Sequence, residues 1–207
     1  VSFLQRRIMG QRVVSVLDIG SGSSCFLYAL HDAGILSCGT GIEISRTRYD
    51  FAEQWKQNGQ YLSIKNINKD VRDVAIESME FDVCTILDST FSVFYSVDSD
   101  LPNQVLRKIY KGLNKGGKLI LDMNSFLDAK RLCRDSGIYY KWEKLPESNR
   151  FLYSLYKVNC FLQEGIARTE SRYLYRDKLG EVKKIEYSKI YTSNELERMV
   201  LEAGFQK

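Results

Sequence analysis

Residues that commonly hold metal ions or build disulfide frameworks are scarce in this sequence. It contains one histidine and five cysteines, and the cysteines are widely spaced and never form a CxxC pair. No ligand cluster with the spacing of a metal site results. Free thiols in a reducing compartment are the simpler interpretation of such cysteines. We therefore expect a cytoplasmic protein that holds no metal.

Proline and long apolar runs are also scarce. Two prolines and a hydrophobic content of 44% in 207 residues favour one compact domain over residues 1–207. No apolar segment approaches the ~20 residues that span a bilayer, and the start of the chain has no secretory core. These absences argue against a membrane partner.

Charge of one sign does not accumulate either. Thirty basic and 26 acidic side chains leave a net charge of +4, and the basic residues are interspersed along the chain. Because no basic arm or stripe forms in the sequence, a nucleic-acid partner is permitted but not indicated.

What the sequence does contain is a glycine turn. Residues 13–24 read VVSVLDIGSGSS, an apolar run rich in β-branched residues followed by small ones. Such a run suits a strand buried on both faces, and Gly20 and Gly22 leave room for a ligand to contact the backbone. The helix that follows offers N–H groups to a carboxylate or phosphate. The pattern predicts a nucleotide-binding turn without choosing the ligand.

An acidic residue follows at the distance expected for a neighbouring strand. The segment ILSCGTGIEIS is typical of a strand, and it ends near Glu43, 23 residues after Gly20. About this separation brings the end of the second strand of a βαβ unit beside the first turn. A carboxylate there can accept hydrogen bonds from both hydroxyls of a ribose.

Polar residues also follow the later strands. Asp70 lies in the polar turn NKDVRD, where it is a candidate partner of an adenine amino group. Asp88 follows a strand over residues 81–87, and Asp122 and Asn124 lie at or beyond the exit of the strand KLILDMN. Doubly wound sheets bind ligands at such C-terminal strand ends.

The chain changes pattern near residue 138. Residues 12–138 alternate five strands with helices and form the predicted cofactor-binding core. Residues 139–191 alternate aromatic and β-branched residues with others, which predicts an antiparallel insertion, and residues 192–207 predict a late helix. We expect an α/β fold with a doubly wound, mostly parallel sheet, helices on both faces and an antiparallel β insertion near the C-terminus.

Taken in order, these segments resemble a class I S-adenosylmethionine-dependent methyltransferase with its Rossmann-like fold. The fragments that carry the resemblance are VLDIGSGSS, GIEIS, NKDVRD, FDVCTILDSTFSVF, LRKIYKGLNKGGKLILDMN and YTSNELERMVLEAGF. They are similar to the family's first motif, acidic strand end, adenine loop, fourth strand, fifth strand with its preceding helix, and late helix. Two positions depart from the pattern, because Ser24 replaces the usual third glycine and Lys115 a common proline.

The resemblance implies a cofactor and a role for each matching residue. The cofactor would be S-adenosyl-L-methionine, and the product S-adenosyl-L-homocysteine. The implied binding residues for the methionine part are Asp18, Gly20, Ser21 and Gly22, and Glu43 is implied for the ribose, with Ile44 beside it. Asp70 and Val71 are implied for the adenine, and Leu87 and Asp88 for the inner flank of the cofactor.

The predicted antiparallel insertion also has a counterpart in the family. In members that methylate small amines, sugars or other metabolites, a similar strand insertion roofs the substrate site, which implies a small-molecule partner here. Five aromatic residues become candidate pocket walls, namely Tyr139, Tyr140, Trp142, Tyr153 and Tyr187. The chain also ends before the family's usual final hairpin. Either the sequence is a fragment, or an insertion strand or a second subunit covers the edge of the fifth strand, which allows a homodimer.

The implied reaction is direct transfer of a methyl group to an oxygen or nitrogen of a sugar, amine or natural-product type of metabolite. Holding donor and acceptor in line in a dry cleft supplies most of the catalysis. Asn124 and Asp88 are the candidate catalytic residues, with Asn124 orienting the acceptor. A hydroxyl acceptor benefits from a general base, and Asp88, Asp122 and His31 are the titratable candidates.

Three alternatives remain open from the sequence. An NAD(P)-dependent oxidoreductase shares the glycine turn and acidic strand end, although Cys25 stands where its third glycine would be. A nucleic-acid methyltransferase usually carries an Asn/Asp-Pro-Pro-aromatic run where this chain has LDST, and a basic face is missing. The third alternative is a cofactor-binding partner subunit without activity.

Overall fold

The computed structural model describes residues 14–59, 61–123, 125–133, 136–147 and 149–206. The described residues form two compact units. The first comprises those within Val1–Phe91, Asp100–Met123 and Met199–Lys207, and the second those within Ser92–Ser99 and Asn124–Arg198.

A five-stranded parallel sheet forms the first unit. Its strands are β1 (Val14–Ile19), β2 (Leu36–Ile42), β3 (Ile64–Ile67), β4 (Phe81–Ile86) and β5 (Leu113–Leu121). Their order in the sheet is β3-β2-β1-β4-β5, and all neighbouring pairs are parallel. The chain therefore reverses its winding direction between β1 and β4, which is where doubly wound sheets bind ligands.

Four helices connect these strands. They are α1 (Cys25–Asp32), α2 (Arg46–Gly59), α3 (Thr90–Val97) and α4 (Leu101–Gly112). Leu27 and Leu30 of α1 pack with Val14 and Val16 of β1 in one buried apolar cluster. Two short 3₁₀ turns, Val71–Asp73 and Ile76–Ser78, occupy the connection between β3 and β4.

The boundary between α4 and β5 differs from the sequence prediction. The apolar spacing over residues 101–114 predicts a helix that ends at Asn114, and Gly116 and Gly117 predict a turn, whereas α4 ends at Gly112 and β5 begins at Leu113. Leu113 pairs with Phe81, and the register then shifts before Lys118 pairs with Val83. Gly116 has φ +79°, so the expected turn is present as an irregularity within the strand.

The second unit contains an antiparallel sheet. Its elements are α5 (Phe126–Cys133), β6 (Ile138–Lys144), β7 (Phe151–Phe161), β8 (Ile166–Tyr175) and β9 (Glu181–Lys189), and α6 (Ser193–Glu202) follows. The order is β6-β7-β8-β9, with every pair antiparallel. The predicted fold class, a parallel α/β sheet with an antiparallel β insertion, is confirmed. Helix α5 was not predicted.

Two cysteines of the second unit form a disulfide. Cys133, at the end of α5, is bonded to Cys160 of β7. Cys25 and Cys38 are exposed free thiols, and Cys84 is a buried one. The expectation of free thiols throughout is therefore wrong for the Cys133–Cys160 pair, because the fold brings together residues 27 positions apart.

Two further features concern membranes and metal ions. No helix in the described ranges is long and apolar enough to cross a membrane. Across the same residues, no three histidine, cysteine or acidic side chains are grouped in a way that could hold a metal ion.

Candidate cofactor-binding site

The glycine turn leaves β1 and contacts the neighbouring strands. Gly20 and Gly22 have φ values of +73° and +58°, in the left-handed region that favours glycine. The backbone N–H groups of Gly20 and Ser21 both donate to the carbonyl of Ile42, at 2.8 and 3.1 Å. These bonds hold the turn against the end of β2.

The third position of the turn pattern, Ser24, also adopts the left-handed conformation. Its φ is +58°, and its side chain is fully buried. Its hydroxyl donates to Oδ1 of Asn66 in β3 at 2.7 Å, which offsets part of the cost of that backbone. The departure at Ser24 is thus compatible with the turn, because serine supplies a hydrogen bond that glycine lacks.

Glu43 links the turn to the end of β2. The residue is 5% exposed, and its Oε2 accepts from the N–H of Gly22 at 2.8 Å. Its Oε1 accepts from the N–H of Ser45 at 2.7 Å. These two hydrogen bonds hold the side chain in one orientation. Because each oxygen has a second lone pair, the carboxylate can still accept from a pair of hydroxyls.

Asp18 lies at the end of β1, opposite Gly41 of β2 and Thr85 of β4. It is 3% exposed, and its Oδ1 accepts from the Thr85 hydroxyl at 2.6 Å. Burial raises the pKa of Asp18 to about 7, the Thr85 hydrogen bond opposes this rise, and the Glu43 carboxylate adds to it. A positively charged ligand would stabilise the ionised form of this carboxyl group.

Asp70 and Val71 lie beyond the end of β3. Both Asp70 oxygens accept from Arg72, with Oδ1 at 2.9 Å from the backbone N and Oδ2 at 2.8 Å from Nη2. The Arg72 side-chain hydrogen bonds lower the pKa of Asp70, so this group is ionised at neutral pH. Val71 is buried. The assignment of both residues to an adenine stays a prediction.

The turn after β4 is the other irregular segment. Asp88 and Ser89 have φ values of +53° and +58°, which is unusual for two successive residues other than glycine. The N–H of Asp88 donates to Oδ2 of Asp122 at 3.3 Å, and the N–H of Thr90 donates to the carbonyl of Leu87 at 3.2 Å. Such conformations are often found at functional sites.

Two further candidates differ in position. Asn124 lies outside the described residues, so its catalytic assignment stays a prediction. His31 is in the last turn of α1, 3.5 Å from the Asp32 carboxylate and edge-on to the ring of Tyr61. Those contacts put His31 at the opposite end of α1 from the glycine turn.

The parallel sheet brings most of the predicted binding residues to one side, the edge formed by the carboxyl ends of its strands. Gly22 contacts Glu43, Asp18 contacts Thr85, and a Cβ on Gly20 would lie 2.5 Å from Cγ2 of Thr90. The exposed side chain of Ile44 follows Glu43 at the same edge. Sequence reasoning missed Thr85 and Asn66, because each contacts a partner that is distant in sequence, Asp18 for Thr85 and Ser24 for Asn66.

A family comparison distinguishes a methyltransferase from an oxidoreductase. Residues 17–121 match a family model described as a methyltransferase domain. The chain belongs to this methyltransferase family. The predicted class, an S-adenosylmethionine-dependent methyltransferase, is thereby confirmed, and with it the enzyme assignment and the cofactor. The oxidoreductase alternative is set aside.

Solved structures share the fold of the methyltransferase. The CcbJ methyltransferase from Streptomyces caelestis has a TM-score of 0.79 at 15% identity, over 98% of this chain and 76% of that one. The amino pentose methyltransferase CalS10 from Micromonospora echinaspora has a TM-score of 0.73 at 17% identity, over 98% and 80%. The sugar N-methyltransferase KedS8 from a Streptoalloteichus species has a TM-score of 0.68 at 16% identity, over 98% and 75%. No curated protein sequence matches the chain.

Substituting Gly20 with alanine tests the turn of this methyltransferase. The new Cβ would lie 2.5 Å from Cγ2 and 2.8 Å from Oγ1 of Thr90, and the residue would keep a φ of +73°. The contact with Thr90 and the positive φ together impose about 1–3 kcal/mol of strain, and the turn must move to relieve it. We therefore expect at least a ~10-fold loss of S-adenosylmethionine affinity. Isothermal titration calorimetry measures the affinity, and thermal unfolding measures the stability.

Gly34 provides the matched control. It has a φ of +68°, but nothing lies within 4 Å of an added Cβ. Gly34→Ala should therefore lower stability by ~1 kcal/mol through backbone strain alone and leave cofactor affinity unchanged. Equal affinity losses in the two variants would show that the Thr90 contact does not matter. Adding Thr90→Ala to Gly20→Ala should restore part of the affinity.

Proposed function

We propose that this methyltransferase transfers the methyl group of S-adenosylmethionine to an oxygen or nitrogen of a small-molecule metabolite, with sugars and amino sugars the first acceptors to test. The observation that carries the proposal is the extent of the structural match. It covers 98% of this chain for an enzyme named an amino pentose methyltransferase and for one named a sugar N-methyltransferase. The match therefore includes the antiparallel insertion, which supports an acceptor of similar type.

The residues at the edge of the parallel sheet fit the cofactor. Gly20 and Gly22 both have positive φ values, with Ser21 between them, and nothing lies within 4 Å of an added Cβ at Gly22, so the backbone there is accessible to a ligand. When bound, S-adenosylmethionine supplies a methyl group already activated on a sulfonium. We assign the glycine turn and Asp18 to its methionine part, because a buried carboxylate suits an ammonium group.

Glu43 is proposed as the ribose-binding residue. Its two oxygens are each fixed by one backbone N–H, from Gly22 and Ser45, and each can accept one further hydrogen bond. We place Ile44, Asp70 and Val71 around the adenine. Ile44 offers an exposed apolar side chain, whereas Asp70 already accepts hydrogen bonds from Arg72.

The turn after β4 is proposed as the acceptor side of the site. Leu87 is half-buried and Asp88 exposed, and the Asp88 N–H is held by the Asp122 carboxylate. Asp88 or Asp122 would take the proton of a hydroxyl acceptor, whereas an amine needs only to arrive unprotonated. Asn124 is proposed to orient the acceptor.

A substrate screen tests the proposal. Purified enzyme is incubated with S-adenosylmethionine and separate pools of amino sugars, hydroxyl sugars, aliphatic amines, RNA and peptides. We expect formation of S-adenosylhomocysteine together with a mass increase of one methylene in a sugar or amine pool. Transfer confined to RNA or to peptides would overturn the proposal, and transfer to a hydroxyl but not an amine would decide the acceptor atom.

A further inference from the structure

The antiparallel sheet of the second unit has one face that is both aromatic and basic. Strand register sets this face, because paired residues on neighbouring strands point to the same side. Trp142 pairs with Leu155, Leu155 with Arg172, and Arg172 with Lys183. We call the surface the aromatic–basic face. It comprises the even-numbered residues of β6 and β8 together with the odd-numbered residues of β7 from Tyr153 and of β9.

Large aromatic side chains are exposed on the aromatic–basic face. Trp142 is 70% exposed, Tyr140 is 67% exposed and Tyr187 is 49% exposed. Tyr140 and Trp142 follow each other along β6 at one edge, and Tyr187 lies on β9 at the other edge. Tyr139 projects to the opposite face, so the candidate wall residues divide between the two sides. Exposed rings that a monomer does not bury commonly mark an interaction site.

Basic side chains accumulate between these rings. The structure describes every residue of the four strands, and the face carries six cations, namely Lys144, Lys157, Arg168, Arg172, Lys183 and Lys189. Its two carboxylates are Glu170 and Glu181. Glu170 is shared, because Arg168 lies 3.6 Å and Arg172 2.9 Å from its oxygens. Lys183 lies 3.0 Å from Glu181, and Lys189 lies 3.7 Å from Glu195 of α6. Six cations against three carboxylates still leave a surplus of positive charge on this face.

The opposite face of the same sheet has no such surplus. Its charged residues are two lysines and two glutamates on β6 and β9. Lys141 pairs with Glu143 at 3.3 Å, and Lys184 pairs with Glu186 at 2.7 Å. The positive charge is thus a property of one face and does not follow from the composition of the strands.

We propose that the aromatic–basic face binds single-stranded nucleic acid. Arginine and lysine side chains neutralise phosphates, and exposed rings provide stacking surfaces for unpaired bases of any sequence. Four strands spaced ~4.8 Å apart with ~3.3 Å per residue give a surface roughly 15 by 25 Å, enough for several nucleotides. A base-bearing anionic strand satisfies both the rings and the cations.

A second copy of the chain satisfies these features less well. Stacking the face on itself would bring six cations towards six others, with six carboxylates in total, Glu195 included, to offset them. An acidic protein would match the charge but would leave the exposed rings without a specific role. Charge complementarity together with the rings therefore favours the nucleic acid.

Binding of a fluorescein-labelled 12-nucleotide oligouridylate to the full chain tests the proposal. Anisotropy should give a dissociation constant of about 10 µM or tighter at 50 mM salt, weakening at least ~10-fold at 200 mM salt. Trp142 fluorescence should be quenched, with Trp55→Phe used to leave Trp142 as the single tryptophan. Trp142→Ala should weaken binding by about 5- to 100-fold.

Charge variants and competitors complete the design. Arg172→Gln with Lys183→Gln should weaken binding at least ~10-fold and lower the salt dependence. Lys141→Gln with Lys184→Gln, on the opposite face, is the matched control and should change binding less than ~2-fold. Equal losses in the two pairs, equal affinity for polyglutamate, or sedimentation showing a dimer that Trp142→Ala dissociates would each overturn the proposal. Thermal unfolding confirms that every variant is folded.

Discussion

Glu43→Ala is expected to weaken S-adenosylmethionine binding about 100-fold, because two charge-assisted hydrogen bonds to the ribose together contribute about 3 kcal/mol. The side chain is oriented before the cofactor arrives, since Gly22 and Ser45 each donate to one of its oxygens. Truncation also leaves these two N–H groups without their acceptor and loosens the turn. Isothermal titration calorimetry at pH 8 measures the affinity, and thermal unfolding reports the stability.

Two further variants separate the role of Glu43 from a general loss of charge. Glu43→Gln should bind nearly as poorly as Glu43→Ala, because an amide NH₂ must face the N–H of Gly22 or Ser45. Glu77→Gln, an exposed glutamate in a 3₁₀ turn of the same unit, should bind normally. Normal binding by a folded Glu43→Gln variant would remove Glu43 from the ribose site.

The predicted site depended on features that are local in sequence. A glycine pair after an apolar run fixes where β1 ends, and the length of one helix and strand then brings Glu43 beside it. The bond from Gly22 to Glu43 is the structural consequence of that spacing. Thr85 and Asn66 were not predicted. Thr85 contacts Asp18 and Asn66 contacts Ser24, and only the order of strands in the sheet brings these distant segments together.

Features that depend on pairing between distant segments were predicted less well. The five cysteines gave no spacing pattern, yet α5 and β7 bring Cys133 and Cys160 together. Helix α5 itself is short, with eight residues, and such helices have a weak periodic signal. The expectation that no basic face forms is wrong for the second unit. Alternation along β7, β8 and β9 separates cations in sequence and collects them on one side of the sheet.

The protonation of Asp18 links the stability of the folded protein to pH. Burial raises its pKa to about 7 in the folded protein, against an ordinary value of 3.8. Below pH ~4 the carboxyl group is protonated in both the folded and the unfolded chain, and no penalty arises. Between pH ~4 and ~7 the unfolded chain loses this proton first, so the free energy of unfolding falls as pH rises. The full loss, reached above pH ~7, is up to ~4 kcal/mol.

Asp18→Asn should remove this dependence. The amide keeps an acceptor for the Thr85 hydroxyl but does not ionise. The cofactor-free variant should therefore gain stability relative to wild type as pH rises, by about 2 kcal/mol at pH 5 and about 4 kcal/mol at pH 8, with the two similar only near pH ~4. Thermal or urea unfolding across pH 5–8 measures the difference. Asp73→Asn, an exposed aspartate of the same unit, is the control and should follow wild type. An Asp18→Asn curve parallel to wild type would show that another group sets the slope.

Cofactor binding should have the opposite pH dependence. The ammonium group of S-adenosylmethionine favours the ionised form of Asp18, so binding lowers its pKa and releases a proton. Wild-type affinity should therefore rise by about 10-fold from pH 6 to pH 8, whereas Asp18→Asn should bind more weakly and with little change across this range. Calorimetry in two buffers of different ionisation enthalpy measures the released proton. Affinity that falls with pH, or proton release that Asp18→Asn retains, would place the cofactor's charged end away from Asp18.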